Sequence, residues 1–146
     1  MKIKINRHPQ FGEPEITIDC DEKDNSIQQI IELIQQPTID FNGKKEDKMF
    51  VFQATEVYYV ESIEDQCFLY TKDDVFDCKY RLYEVENKNE DFVKVNKNTV
   101  VNYKKIKFFK SSFNGRLDAT LVNGDRIEIS RTYVQQLKTL LGGKSV

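Results

Sequence analysis

Residues 115–130 read GRLDATLVNGDRIEIS, and their alternation decides the fold class. Leu117, Ala119 and Leu121 lie two apart on one arm, and Ile127 and Ile129 two apart on the other. That is the period of a strand with one buried face. Between the arms stands Asn123-Gly124, a dipeptide that favours the positive φ angles of a type I′ turn and so predicts a hairpin. The period then changes. In SRTYVQQLKTLLGG, residues 130–143, Val134, Leu137 and Leu141 sit at helical spacing, with Ser130 in the N-cap position and Gly142 as C-cap.

Upstream, residues 92–110, FVKVNKNTVVNYKKIKFFK, carry six lysines and three asparagines among aliphatic and aromatic residues, and no acid. Residues 92–146 hold 11 Lys+Arg against 3 Asp+Glu, whereas residues 1–91 hold 11 against 21, within a net charge of -2. A near-neutral total therefore conceals a dipolar chain. Such asymmetry suits either a polyanion partner or a lysine-rich solvated face.

Further towards the N-terminus, MFVFQATEVYYVES (49–62) and QCFLYTKDDVFDCKYRL (66–82) are rich in β-branched and aromatic residues and broken by polar turns such as KDD, which predicts strands. RLYEVEN (81–87) predicts a short helix with Leu82 and Val85 facing in. The first 43 residues read as a separate unit. KIKIN (2–6) and EITIDC (15–20) alternate as half-buried strands, with a loop at 8–14. SIQQIIELIQQP (26–37) places Ile27, Ile30, Ile31 and Ile34 on one helix stripe, with Ser26 and Gln29 as a capping box and Pro37 as the stop. TIDFNGKKEDK (38–48) is polar, contains Asn42-Gly43, and reads as a connector. The expected organisation is a β-β-α accessory unit at 1–43 and a mainly β domain at 44–146, α+β overall.

Several function classes are disfavoured. No apolar run approaches the 18 residues of a membrane span. MKIKINRHPQ lacks the apolar core of a secretory signal, so cytoplasmic residence is expected. Cys20, Cys67 and Cys78 are odd in number, form no CxxC, and with His8 alone cannot complete a Cys/His zinc set. They are expected to be reduced, partly buried thiols, with no metal and no cofactor. The single histidine and the lack of a Gly-rich phosphate loop leave no catalytic set, so an enzyme is not expected.

Three segments in order resemble the LytTR-type DNA-binding domains of bacterial transcription regulators. They are TEVYYVESIEDQCFLYT (55–71), FVKVNKNTVVNYKKIK (92–107) and LVNGDRIEISRTYVQQLKTLL (121–141). The second is similar to the family's F-x-R-I-H-R-S-x-x-V-N pattern, with Val100, Val101 and Asn102 in the closing positions. The third is similar to its L-x-N-G-x-x-I-x-V-S-R-x-Y-x-x-x-L-K ending. The resemblance covers about residues 45–141.

It implies a fold of about ten short strands with short helices, whose loops rather than a helix enter successive major grooves of double-stranded DNA. The implied contact loops are residues 62–67, 96–99 and 130–133. They carry Gln66 and Cys67, then Asn96, Lys97 and Asn98 beside Lys94, then Ser130, Arg131, Thr132 and Tyr133. Where the family's second loop has His, Arg and Ser, this chain has Asn96, Lys97 and Asn98. Asparagine pairs bidentately with adenine, which implies altered base preference, and lysine lacks the guanidinium fork that suits guanine. The first loop carries Glu64 and Asp65, two acids that a phosphate backbone repels. The alternative reading is a protein- or ligand-binding β module. Forty-three residues are too few for a phosphoreceiver domain. Short relatives suggest control through oligomerisation, a homodimer in the simplest case, or through an inhibitory partner in the membrane.

Overall fold

The computed structural model describes residues 4–5, 16–35 and 39–142. The chain divides into two compact units, residues 1–36 and 37–146.

In the first unit the described element is helix α1, Gln28–Gln35. Ile27, Ile30 and Ile31 are its half-buried residues, while Leu33 and Ile34 are exposed. Ser26 does not cap it as a capping box would. Its hydroxyl and amide both donate to Asp24 Oδ1, which draws the side chain away from the helix amides. Residues 16–20 are not in a strand, and most of the other expected strand, residues 2–6, lies outside the described residues, as do His8 and Pro37.

Among its described residues, the second unit is built from ten strands and two α-helices. Seven strands form one antiparallel sheet: β1 (Phe41–Lys45), β2 (Lys48–Phe52), β3 (Tyr59–Ile63), β4 (Gln66–Tyr70), β5 (Val75–Cys78), β6 (Phe92–Asn96) and β7 (Thr99–Asn102). Their spatial order is β2-β1-β5-β4-β3-β7-β6. A second sheet of three, β8 (Ile106–Ser111), β9 (Leu117–Leu121) and β10 (Arg126–Ile129), is ordered β10-β9-β8. Helix α2 spans Leu82–Lys88 and helix α3 spans Arg131–Leu140. A mainly β fold of ten short strands is thus present, as the resemblance implied.

Both faces of the large sheet are covered at β3 and β7, which is why Tyr59-Val60 and Val100-Val101 stand as adjacent apolar pairs where a half-exposed strand would alternate. Val101 and Tyr59 point to one side, into a core closed by Leu121, Ile129 and Leu137 from the small sheet and α3. Val100 and Val60, one residue away, point to the other side, into a core with Leu69 and with Val85 of α2. Val60 and Val100 are fully buried, each worth roughly 1.5–3 kcal/mol. Asn102 is buried between these layers. Its Nδ2 donates to the Val57 carbonyl at 3.1 Å and its Oδ1 accepts from the Lys104 amide at 3.2 Å, so it closes a turn.

The β9–β10 connection is a four-residue loop, not the two-residue type I′ turn that Asn123-Gly124 suggested, because only Gly124 has positive φ (+95°). The Asn123 side chain closes it instead, accepting from the Asp125 amide and donating to the Lys72 carbonyl at 2.9 Å. Residues 38–48 also differ from expectation. They are not a connector: Phe41–Lys45 pairs with Lys48–Phe52 and with β5, and Phe41 is 1% exposed. The division between units therefore falls before residue 37, not at 43/44. Gly43 sits in the strand because a Cβ there would stand 2.7 Å from Phe76 Cβ.

Candidate nucleic-acid interface

The β3–β4 register pairs Ser62 with Cys67 and Ile63 with Gln66, leaving Glu64-Asp65 as a two-residue turn. Both take positive φ, +50° and +66°, as a type I′ turn requires. The β6–β7 register pairs Asn96 with Thr99, leaving Lys97-Asn98 at the tip, and a bulge lies between Lys94 and Asn96. Here a side chain shapes the turn. Asn96 Oδ1 accepts from the Asn98 amide at 2.9 Å, and Asn96 Nδ2 donates to the Glu128 carbonyl at 2.8 Å.

Main-chain bonds connect the expected loops. The Ser62 amide donates to the Asn98 carbonyl at 2.8 Å, which joins the first loop to the second. The Ser130 amide donates to the Val95 carbonyl, also at 2.8 Å, which joins the second strand pair to the start of α3. The bulge sorts the other residues. Asn96 and Asn98 line an open cleft of about 600 Å³ with Glu61, Glu64, Asp65 and Arg126. Lys94 instead lines a separate groove with Gln66 and Cys67, and its amide donates to Glu86 Oε1 at 3.2 Å. Lys97 and Asn98 are exposed at the tip, whereas Thr99 is 3% exposed. The cleft is rich in carboxylates, and burial raises the Glu61 carboxyl above its ordinary 4.5.

At the third loop, Ser130 occupies the N-cap position without a side-chain capping bond. Arg131 and Thr132 are exposed, while Tyr133 is half-buried against the core. The Arg131 stem lies over Gly115, where a Cβ would come within 3.1 Å of Arg131 Cδ. Gly115 belongs to the turn Phe113–Gly115, whose Phe113 is 85% exposed. This turn beside Arg131 was not singled out in the sequence. The signal was there in Phe113-Asn114-Gly115, an aromatic residue leading into Asn-Gly.

The acid-free stretch divides in the same way. Lys104 pairs with Asp91 at 3.4 Å and Lys105 lies 5.0 Å over the Tyr58 ring, so these two lysines brace the fold. Lys94 and Lys97 belong to the hairpin. Among the described residues, no group of three or more His, Cys, Asp and Glu side chains is placed to hold a metal ion.

Residues 47–142, which span the loops just described, match the family of the LytTr DNA-binding domain. The chain belongs to that family. Relatives of the LytTr region include the sensory transduction protein LytT of Enterococcus faecalis, 28% identical over 99 residues, 66% of this chain and 41% of that protein. Another is LytT of Bacillus subtilis, 27% identical over 97 residues, 65% of this chain and 40% of that one. The chain thus spans about two fifths of the length of these relatives. Among solved structures, the LytTr DNA-binding domain of a putative methyl-accepting/DNA response regulator from Bacillus cereus superposes with a TM-score of 0.65. That match is 22% identical and covers 70% of this chain and 95% of the other. The LytTr fold is therefore present. Among the described residues, no helix is long and apolar enough to cross a membrane.

Proposed function

We propose that this chain is a sequence-specific transcription regulator that binds double-stranded DNA through the loops of its LytTr domain, reaching successive major grooves. The observation that carries this reading is the bonding of the second loop to its neighbours. The Ser62 amide and Glu128 carbonyl fix Asn98 and Asn96, and the Ser130 amide fixes Val95. Lys97 and Asn98 are then presented at the tip of a braced hairpin.

In this reading Lys97 and Asn98 meet phosphate or base edges. Arg131 and Thr132 meet a phosphate at the first turn of α3, where exposed amides and the helix dipole favour an anion. Asn96 acts as a positioning residue, since both ends of its side chain are already bonded within the protein. Lys94, Gln66 and Cys67 face the other groove and contribute less. The N-terminal unit serves as an accessory element, with α1 as a homodimer contact.

The carboxylate-rich cleft favours a second reading, an interaction module that accepts a basic partner. Two measurements separate them. Selection from fragmented genomic DNA followed by sequencing should yield a repeated motif, and the protein should be retained on heparin at moderate salt. Flow-through on heparin and no enriched motif would leave the interaction module.

A further inference from the structure

Of two thiols at the end of the β4–β5 pair, that reading gives Cys67 a minor part and Cys78 none. Cys67 and Cys78 are direct register partners, and the Cys78 thiol donates to Cys67 Sγ at 2.8 Å. Both cysteines are free and half-buried at the margin of the core that contains Leu69 and Val85. Both also line the groove shared with Lys94 and Tyr80, which opens them to small polar reagents. Directly opposed residues of antiparallel strands have Cα atoms about 4.5–5.5 Å apart, inside the roughly 4.4–6.8 Å that a disulfide spans. Opposed Cβ atoms stand about 4.5–5.5 Å apart, somewhat wider than the ~3.8 Å mean of a disulfide, and bonds made under such constraint are the reducible ones.

We propose that Cys67 and Cys78 are an oxidisable dithiol site that closes reversibly to a disulfide when a peroxide enters the groove. Cys67 is the attacking sulfur. The hydrogen bond from Cys78 lowers the Cys67 thiol below its ordinary value, while the same bond, then burial, raises Cys78. The Cys67 thiolate takes one peroxide oxygen, the O–O bond breaks, and the other oxygen leaves as hydroxide and is protonated to water. The resulting sulfenic acid is attacked by the Cys78 sulfur. The S–O bond breaks as the S–S bond forms, and the Cys78 proton leaves with the oxygen as a second water. The two thiols lose two protons and two electrons, and one peroxide becomes two waters. A thiol reductant reverses the bond by exchange.

The pair connects to the interface through one residue. Cys67 is also the register partner of Ser62, whose amide donates to the Asn98 carbonyl of the Lys97-Asn98 hairpin. Drawing β4 towards β5 therefore moves the strand pair that braces that hairpin, a consequence that rests on the DNA-binding reading. The test uses the full chain carrying Cys20→Ser, which removes the exposed third thiol. Reduced protein treated with hydrogen peroxide should lose the mass of two hydrogen atoms, resist alkylation, and yield one peptide linking Cys67 to Cys78. Dithiothreitol should restore both thiols. In Cys78→Ser added to that background, Cys67 should be trapped as a sulfenic acid that reacts with dimedone. Two alkylatable thiols after peroxide, or added oxygen on the peptides that carry Cys67 and Cys78, would overturn the site; oxygen on Met49, which is exposed, is scored separately by the same peptide map. In the second arm, the oxidised protein should bind the selected operator about fivefold more weakly or worse, with recovery on reduction. An intact disulfide with unchanged affinity would overturn the link to the hairpin. Failure of the reduced protein to bind any DNA contradicts the DNA-binding reading itself, and the mass measurement still decides the dithiol site.

Discussion

Two hairpins stand side by side in the large sheet, and they make their tips in different ways. The β3–β4 tip, Glu64-Asp65, is acidic and turns by placing both residues at positive φ. The β6–β7 tip, Lys97-Asn98, carries no acid and turns around the Asn96 side chain and a bulge. The main-chain bond from Ser62 to Asn98 joins them. The lesson is that neighbouring loops of one framework need not share a role. The acidic tip turns through its backbone alone, whereas the basic tip spends a side chain on positioning and presents the next two residues.

The largest effect should come from erasing the charge difference. The double change Lys97→Glu, Asn98→Asp gives the second tip the sequence of the first. It should lower operator affinity at least about a hundredfold, each lost contact being worth roughly 1–3 kcal/mol, while the far-ultraviolet circular dichroism stays unchanged. A folded variant with parental affinity would move the interface elsewhere.

Next comes the internal brace. Asn96→Ala removes the bond to Glu128 and the bond from the Asn98 amide, so stability in urea should drop by about 1–2 kcal/mol. DNA affinity should fall with it, without a change in preferred sequence. A shifted motif after repeating the selection would make Asn96 a base reader and not a brace.

The acidic tip should respond in the opposite direction. Glu64 and Asp65 hold φ angles that side chains other than glycine adopt at a cost. Glu64→Asn with Asp65→Gly supplies the preferred type I′ dipeptide and should raise stability by about 1 kcal/mol. Two carboxylates leave the cleft in the same step, so DNA affinity should rise. Weaker binding would show that the acids themselves contribute to recognition.

How much of this was legible depends on which force dominated locally. Strands and helices with one buried face, such as Leu117, Ala119, Leu121 and Val85, were readable because burial follows periodicity. Asn-Gly misled twice. Asn42-Gly43 lies in a strand because Phe76 leaves no room for a side chain, and Asn123-Gly124 sits in a longer loop closed by bonds to Lys72 and Asp125. Both outcomes depend on partners far along the chain, which no local pattern encodes. The proposed contact residues Lys97, Asn98, Arg131 and Thr132 were foreseeable as exposed positions. The separation of Lys94 from Asn96 was not, because it depends on a bulge.

The smallest effect concerns the cleft between the tips. Burial raises the Glu61 carboxyl in the folded state, so folding favours its protonated form. Stability contributed by that proton is present below the ordinary 4.5 and is lost as pH rises through the elevated folded value. Glu128, Glu64, Asp65 and Arg126 line the same cleft. Glu61→Gln should therefore equal the parent in acid and exceed it near neutrality by less than about 1 kcal/mol, since the group is only half-buried. Equal stability of the two proteins at every pH would remove the desolvation argument.

The central claim is that the LytTr domain meets DNA phosphates through the basic tip, and the salt dependence of binding tests it most directly. Titrating parent and Lys97→Ala against the selected operator over a range of salt concentrations should give a linear fall of log affinity with log salt in the parent. The slope should be shallower by about 0.9 in the variant, the share of one phosphate contact. A flat response in the parent, or identical slopes in the two proteins, would contradict the account.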